Sequence, residues 1–188
     1  MNGFPLNSLG LTHQLMAAHI KEGDFCIDAT AGRGRDTLFL CSLVGESGRV
    51  LALDIQADAV ASTRQLLEQN GCNATVVQDC HSRLAAYAAP ESVDGIMFNF
   101  GWLPGGDHTA FSQPATSVAA LEAALSLLKV GGVLSLCLYY GRDNGTAERD
   151  AVLAWAQAVD NRRFTVIRAD FANRTGDVPI PLFVIRER

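Results

Sequence analysis

Short apolar runs alternate with helical patterns along almost the whole chain, and this alternation restricts the possible folds more than any other feature. The runs are rich in β-branched and aromatic residues and occupy residues 25–28, 50–54, 74–78, 93–98, 133–139, 164–169 and 182–185. Helical spacing of apolar side chains occupies residues 11–21, 36–44, 57–70, 117–128 and 147–159, and several of these segments end near a glycine. Alternation at this spacing predicts βαβ units and therefore a mainly parallel sheet with helices on both faces.

The last two runs break the alternation. Residues 170–181 connect them, contain Gly176, Pro179 and Pro181, and show no helical pattern, which predicts a terminal antiparallel hairpin. Five strands that alternate with helices, followed by an antiparallel pair, resemble the seven-stranded sheet of class I methyltransferases. That fold is a Rossmann-like α/β core to which a reversed strand is added.

Length and composition favour one globular domain. The chain has 188 residues, of which 48% are hydrophobic and 19% charged, so we expect a single domain over residues 1–188 rather than a disordered segment. Its longest apolar stretches are shorter than the roughly 18 residues that a membrane span requires. The first ten residues also lack the layout of a signal peptide, so a cytoplasmic protein is expected.

The net charge of −5 argues against a protein that coats nucleic acid nonspecifically, because phosphate binding depends on Lys and Arg. It does not exclude RNA, since a local basic patch can form within an acidic protein. The arginines that could contribute are Arg33, Arg35, Arg142, Arg149, Arg162, Arg163, Arg168 and Arg174.

The cysteines show no metal-binding pattern. Their number is odd, no two form a CxxC pair, and the sequence suggests neither a zinc site nor a disulfide framework. We expect buried, reduced thiols at Cys26, Cys41, Cys72, Cys80 and Cys137.

A glycine-bearing segment, DATAGRGRDT at residues 28–37, follows the first predicted strand. Gly32 and Gly34 permit a tight turn with exposed backbone, although a lone GxG also occurs in ordinary βα loops. Asp54 ends the next predicted strand, twenty residues after Gly34, where a carboxylate hydrogen-bonds a ribose diol. Together these residues predict a cofactor that contains a nucleoside.

The end of this segment favours S-adenosylmethionine over NAD. A dinucleotide site requires a third glycine and an open helix N-terminus for pyrophosphate, whereas this chain has Asp36 and Thr37 there. Carboxylates repel pyrophosphate but suit the cationic amino-acid end of S-adenosylmethionine. We therefore predict that Asp28 contacts the methionine ammonium, directly or through water, and that Thr30 lies at the same site.

Three polar residues follow the third predicted strand, where methyltransferases commonly contact adenine. They are Asp79, Cys80 and His81. Asp79 is equally suited to cap the helix that follows, and His81 to lie on the surface at the start of that helix.

The sequence NFGWLPGGD at residues 99–107 follows the fourth predicted strand, and ligands bind beyond the carboxyl ends of strands in α/β proteins. Amine methyltransferases hold the amine with a side-chain amide in a loop of the Asn-Pro-Pro-Tyr type at this place. We predict that Asn99 orients an amino group and that Trp102 flanks the transfer site or stacks on a base. The alternative is a turn-forming Asn99 and a core Trp102.

Other polar residues at this rim are expected to reach the transfer site. None of them stands out as an obligatory base, and a neutral amine can lose its proton to water. They are Asp107, His108, Tyr139 and Tyr140.

Four stretches together, DATAGRGRDTLFL, LALDIQ, NFGWLPGGDHTAFSQPATSVAALEAALSLL and LYYG, strongly resemble a bacterial family first labelled as rRNA methylases. Its members are now assigned as the tRNA methyltransferase that completes 5-methylaminomethyl-2-thiouridine at the anticodon wobble position. The resemblance implies S-adenosylmethionine as methyl donor and, as substrate, the exocyclic amine of 5-aminomethyl-2-thiouridine in a tRNA anticodon stem-loop. By motif it implies a cofactor site lined by Gly32, Arg33, Gly34, Asp36, Asp54, Gln56, Cys80 and His81.

The chain departs from this family at two places. Relatives usually carry Asn and often His where this chain has Arg33 and Arg35, so a side-chain role for Arg33 does not follow from the resemblance. Relatives commonly carry Tyr-His-Gly where this chain has Tyr139, Tyr140 and Gly141, which argues against a histidine as an indispensable base.

The leading hypothesis is thus a tRNA wobble-uridine N-methyltransferase. A methyltransferase acting on rRNA or on a small amine is the alternative within the same class. An NAD-dependent oxidoreductase and a non-catalytic RNA-binding module are alternatives from other classes. A homodimer is plausible for the leading hypothesis because two copies would enlarge an arginine-lined RNA surface.

Overall fold

The computed structural model describes residues 6–101 and 112–188. Helices α1 to α5 span Ser8–His19, Arg35–Val44, Ala57–Gln69, Pro114–Leu127 and Arg142–Ala158, and a 3-10 helix spans His81–Ala86. Strands β1 to β7 span Phe25–Asp28, Arg49–Asp54, Thr75–Gln78, Val93–Phe100, Leu128–Leu138, Phe164–Arg168 and Ile180–Arg186. Within the described residues, no helix is both long enough and apolar enough to cross a membrane.

The described strands form one sheet in the order β3-β2-β1-β4-β5-β7-β6. Strands β1 to β5 pair in parallel, whereas β7 is antiparallel to both β5 and β6. This arrangement confirms the predicted Rossmann-like sheet with its terminal hairpin. The chain moves outward in one direction from β1 and in the other from β4, so the switch point of the sheet lies between these two strands.

The two faces of the sheet are covered by different helices because side chains alternate along each strand. Ile96 and Phe98 belong to a core that also contains residues of α4, α5 and the 3-10 helix. Met97, between them, points to the other face and belongs to a second core with Met16 of α1 and Leu40 of α2. The predicted cover of helices on both faces is therefore confirmed.

Four strands, β2, β4, β5 and β7, extend beyond their predicted bounds. Strand β4 continues through Asn99 to Phe100 because these residues still pair with β5, Asn99 opposite Cys137. The prediction that β4 ends at residue 98 was wrong, since a polar side chain does not prevent backbone pairing. Strand β5 begins directly after α4, so Gly131, predicted to follow a helix end, lies inside β5 with φ of 81°.

The expectation that all five cysteines are reduced was wrong for two of them. Cys41 of α2 and Cys72, just beyond α3, form a disulfide with their Cα atoms 6.4 Å apart. The packing of α2 beside α3 creates this proximity, which a sequence separation of 31 residues does not reveal. Cys26, Cys80 and Cys137 are free thiols, and Cys26 and Cys137 are buried as expected.

Candidate active site at the carboxyl edge of the sheet

The carboxyl ends of the parallel strands meet at one edge of the sheet, and most of the chemistry-bearing residues lie there. Asp28 ends β1, Asp54 ends β2, Asn99 is the last residue but one of β4, and Tyr139 directly follows β5. The loops after β1 and β4 flank the switch point, where open α/β sheets bind ligands. A contact joins the two loops across this crevice, because the backbone N–H of Asn99 donates to Thr30 Oγ1 at 2.7 Å.

The glycine loop after β1 adopts a conformation that other residues do not readily reach. Gly32 and Gly34 have φ of 54° and 79°, in the left-handed region. A Cβ atom on Gly34 would lie 3.0 Å from the Cα atom of Thr63 in α3. The loop therefore lies closely against α3, and Thr63 Oγ1 donates to the carbonyl of Gly32 at 3.2 Å.

Asp54 ties this loop to the end of β2. Its Oδ2 accepts the N–H of Gly32 at 2.8 Å and its Oδ1 accepts the N–H of Gln56 at 2.9 Å. Each carboxylate oxygen keeps further acceptor capacity, which matches the two hydroxyl donors of a ribose. Ile55, the next residue, is 64% exposed and offers an apolar surface beside this acceptor.

Asp28 lies beneath the loop rather than on its surface. The side chain is fully buried, Oδ1 accepts the N–H of Thr30 at 3.2 Å, and Oδ2 accepts the hydroxyl of Thr37 at 2.6 Å. Burial, and next the nearby charge of Asp36, raise the pKa of Asp28 to about 7. This environment favours a role in supporting the loop over the predicted contact with a ligand.

The carboxylate of Asp79, after β3, accepts hydrogen bonds from residues close to it in the sequence. Its Oδ1 accepts the N–H of Cys80 at 2.8 Å and its Oδ2 accepts the hydroxyl of Tyr87 at 2.5 Å. The Tyr87 hydrogen bond lowers the pKa of Asp79. The N-cap position of the 3-10 helix is Cys80 and carries no side-chain cap, so the alternative of a capping Asp79 was wrong.

His81 has an unsatisfied nitrogen. Its Nε2 atom is buried and finds no hydrogen-bond partner among the described residues. Burial lowers the pKa of His81 to about 4, so the ring is neutral near pH 7. The alternative of a surface position at the start of a helix holds only in part, because His81 is the first residue of the 3-10 helix but is half-buried, with its ring 5.4 Å from that of Phe100. A buried polar atom without a partner fits a site completed by a ligand.

Asn99 is held at both its backbone and its side chain. While its backbone binds Thr30, its Nδ2 donates to Asp36 Oδ2 at 2.6 Å. The other oxygen of Asp36 accepts from His13 Nε2 of α1 at 2.7 Å. Because Asn99 lies within β4, the alternative in which it forms a turn was wrong.

Tyr139 faces the same region with a protonated hydroxyl. Burial raises its pKa above the ordinary value, and hydrogen bonding to the buried thiol of Cys137 acts in the same direction. Gly101 lies against it, since a Cβ atom there would be 2.9 Å from the Cβ of Tyr139. Tyr139 is thus a neutral hydroxyl near neutral pH and not a phenolate base.

Sequence reasoning missed a buried acid on the far side of this site. Glu148 of α5 is 1% exposed and accepts a hydrogen bond from Ser117. Its side chain also bonds Ser112, whose Oγ accepts the N–H of Gly101 at 3.0 Å. Burial raises the pKa of Glu148. Its signal in the sequence is weak, because a glutamate in a helix usually faces solvent.

The chain is similar to known proteins in both sequence and structure. A family model described as "Putative rRNA methylase" matches residues 50–185. The chain belongs to this family. Membership confirms the predicted family, and together with the SAH-bound structure of a similar protein it confirms the predicted enzyme class, a methyltransferase that uses S-adenosylmethionine.

Two solved structures of similar proteins match almost the whole of this chain. The "putative rRNA-methylase" of Clostridium thermocellum is 40% identical, with a TM-score of 0.94 over 97% of this chain and 98% of that one. A "putative methyltransferase" of Streptococcus mutans, solved in complex with SAH, is 30% identical, with a TM-score of 0.87 over 97% of this chain and 99% of that one.

A curated relative is named tRNA (mnm(5)s(2)U34)-methyltransferase, chloroplastic, and comes from Arabidopsis thaliana. It is 34% identical over 177 residues, which is 87% of this chain. The aligned region spans 64% of the length of the Arabidopsis protein.

The residues predicted to bind cofactor or substrate in this rRNA methylase family member divide into two groups. At the carboxyl edge lie Asp28, Thr30, Gly32, Arg33, Gly34, Asp36, Thr37, Asp54, Gln56, Asp79, Cys80, His81, Asn99 and Tyr139. Trp102, Asp107 and His108 lie outside the described residues, so their roles stay predictions. Besides Glu148, the sequence interpretation also missed Ile55, whose signal is an apolar residue directly after the acid that ends β2.

Proposed function

We propose that this protein is an RNA methyltransferase that transfers a methyl group from S-adenosylmethionine to the exocyclic amine of 5-aminomethyl-2-thiouridine at the tRNA wobble position. Membership in a methylase family and the name of the Arabidopsis relative support this function. The observation that carries it is Asn99, an amide held by two hydrogen bonds at the switch point beside the glycine loop.

The donor half of the site fits S-adenosylmethionine. Asp54 would accept the ribose hydroxyls, Ile55 would pack on the adenine ring, and the buried Nε2 atom of His81 would gain a partner at the same end. The backbone of the glycine loop would lie along the ligand. When bound, S-adenosylmethionine supplies a methyl group on a positively charged sulfur.

The acceptor half requires alignment more than acid–base catalysis. The lone pair of the substrate amine forms the new C–N bond, the electron pair of the broken S–C bond returns to sulfur, and the surplus proton of the amine passes to water. Asn99 would accept an N–H of the amine and orient the lone pair, and the neutral hydroxyl of Tyr139 would line the same side of the site.

A basic part of the same edge is suited to RNA phosphates. Arg33 and Arg35 flank Gly34 in the loop after β1, and both side chains are exposed. Among residues 6–101 and 112–188, neither of them forms an ion pair. Two exposed guanidinium groups beside the donor loop would contact the backbone of an anticodon stem-loop.

Nucleoside mass spectrometry tests the proposal. Purified protein and S-adenosylmethionine are incubated with tRNA that carries the aminomethyl intermediate, with matched tRNA that lacks it, with ribosomal RNA and with the free nucleoside. We expect a mass gain of one methyl group on the aminomethyl nucleoside of tRNA alone. Methylation of ribosomal RNA or of the free nucleoside instead would favour the alternative acceptors, and binding of SAH without transfer to any RNA would contradict catalysis.

A further inference from the structure

Three elements of the fold converge on one carboxylate. Asp36, in the first turn of α2, is 7% exposed, and its two oxygens are occupied by different partners. His13 of α1 donates to Oδ1 at 2.7 Å, and Asn99 of β4 donates to Oδ2 at 2.6 Å. The ring of His13 is itself stacked on that of Phe39, with centroids 4.1 Å apart and planes at 16°. A chain of contacts therefore leads from α1 and α2 to the acceptor side of the site.

An ionised carboxylate is only an acceptor, and this determines which way the Asn99 amide faces. An asparagine carries two N–H donors on one side and an acceptor oxygen on the other, and the two orientations differ little in shape. Opposite Asp36, only the orientation with Nδ2 toward the carboxylate forms a hydrogen bond. The oxygen Oδ1 must then face the opposite way, and no described residue donates to it.

We infer that Asp36 and His13 are positioning residues, which orient Asn99 so that its amide oxygen, and not its amide nitrogen, faces the substrate amine. The inference rests on the proposed function of Asn99 in binding that amine. It also differs from the role predicted for Asp36 from sequence, which was contact with the cofactor. His13 acts one step further away, since its Nε2–H fixes the carboxylate that fixes the amide.

The substitution Asp36→Asn tests this directly because it keeps the size of the side chain. His13 would still donate to the oxygen of the introduced amide, so that amide would present its N–H groups to Asn99. The Asn99 amide would then turn over and present its own N–H groups to the substrate amine. We expect kcat for methyl transfer to fall about tenfold while affinity for SAH, measured by calorimetry, stays within about twofold.

The double substitution Asp36→Asn with Asn99→Asp restores the polarity of the pair. The amide introduced at position 36 now donates to the carboxylate introduced at position 99, whose second oxygen is again an acceptor for the substrate amine. We expect kcat to recover at least in part over the Asp36→Asn variant. A residue that only stabilises the fold would show no such recovery, so failure to recover overturns the inference.

A spectroscopic measurement of the side-chain N–H signals reports the orientation of the Asn99 amide without turnover. In the wild-type protein the side-chain N–H signals of Asn99, assigned by their loss in Asn99→Asp, should be shifted by the hydrogen bond to Asp36 and lose that shift in Asp36→Asn. An unchanged signal overturns the inference, as does an equal loss of SAH affinity and kcat. If Asp36→Asn does not fold, His13→Gln takes its place, with a smaller fall in kcat and unchanged SAH affinity expected.

Measurements on the wild-type protein distinguish failure of the proposed function from failure of the inference about Asp36. Absence of methyl transfer to any aminomethyl tRNA by folded, SAH-binding wild-type protein contradicts the proposed function. The amide signals still report whether Asp36 orients Asn99 in that case. Transfer by the wild-type protein with unchanged kcat in Asp36→Asn contradicts only the inference.

Discussion

The two halves of the candidate site are built in different ways. On the donor side, Asp54 and Asp28 bind backbone and side chains of the glycine loop that lies next to them. On the acceptor side, Asn99 and Gly101 are held by residues of distant segments, Asp36 of α2 and Ser112 before α4. The difference indicates that one loop and the strand ends beside it form the proposed donor site, whereas packing between helices and the sheet determines the proposed acceptor site.

The largest effect is expected from Asp28 on the donor side. Because burial raises the native pKa to about 7 from an ordinary value of 3.8, the folded state holds its proton more tightly than the unfolded chain. The contribution of Asp28 to stability is thus greatest below about pH 4 and falls as pH rises to about 7. Asp28→Asn should remove this fall.

Denaturant titrations at several pH values measure how the free energy of unfolding depends on pH. The free energy of unfolding of Asp28→Asn, relative to wild type, should rise between pH 4 and pH 7 and stay constant above. Asp58→Asn, at an exposed position in the first turn of α3, is the matched control. A difference that does not vary with pH contradicts the prediction.

Asp54→Ala should have the next largest effect. It removes the acceptor for Gly32 and Gln56 and the proposed acceptor for the ribose. Loss of two hydrogen bonds to a charged group, about 1.5 kcal/mol each, corresponds to about a 100-fold weaker affinity for SAH by calorimetry. The SAH affinity of Asp54→Asn, which keeps one acceptor oxygen, should lie between the affinities of Asp54→Ala and of the wild-type protein. SAH affinity that is unchanged in both would remove Asp54 from the donor site.

Asn99→Ala should lower turnover and leave the affinity for SAH almost unchanged, in contrast to Asp54→Ala. Turnover should fall about tenfold or more because the amine loses its acceptor, while affinity for SAH stays within about twofold. Single-turnover methyl transfer and calorimetry on the same preparation measure the two quantities. Equal losses in both would assign Asn99 to the donor side and erase the distinction between the halves.

The smallest effect is expected at the rim. Replacing Arg33 and Arg35 by Ala should weaken tRNA binding about three- to tenfold and reduce the salt dependence by about 0.7 in log–log slope for each phosphate that is no longer neutralised. Arg162→Ala is the control, because Arg162 precedes β6 at the opposite edge of the sheet. Equal losses in control and double variant would contradict a phosphate-binding role at the carboxyl edge.

Sequence patterns predicted the fold and the donor side because their signals are local. The glycines of the β1 loop and the acid that ends β2 are each recognisable within a few consecutive residues, although the contact between Gly32 and Asp54 joins positions 22 apart. By contrast, the pairs Asn99–Asp36 and Asn99–Thr30 join residues 63 and 69 positions apart. Nothing in the sequence around Asn99 identifies either partner.

Other features escaped prediction for the same physical reason. The disulfide between Cys41 and Cys72 depends on how two helices pack, and the buried position of Glu148 depends on hydroxyl groups supplied by Ser112 and Ser117. The extension of β4 past Asn99 depends on its pairing with β5. A single sequence carries the propensity of each segment but not the identity of its neighbours.

The junction of Gly101 and Ser112 has a consequence for changes in the chain between them. Gly101 N–H donates to Ser112 Oγ at 3.0 Å, and the backbone N–H of Ser112 donates back to Gly101 O at 3.4 Å, so the chain leaves and rejoins the framework at one point. A change between Gly101 and Ser112 that leaves these two residues in place is therefore expected to keep the ends of β4 and α4 together.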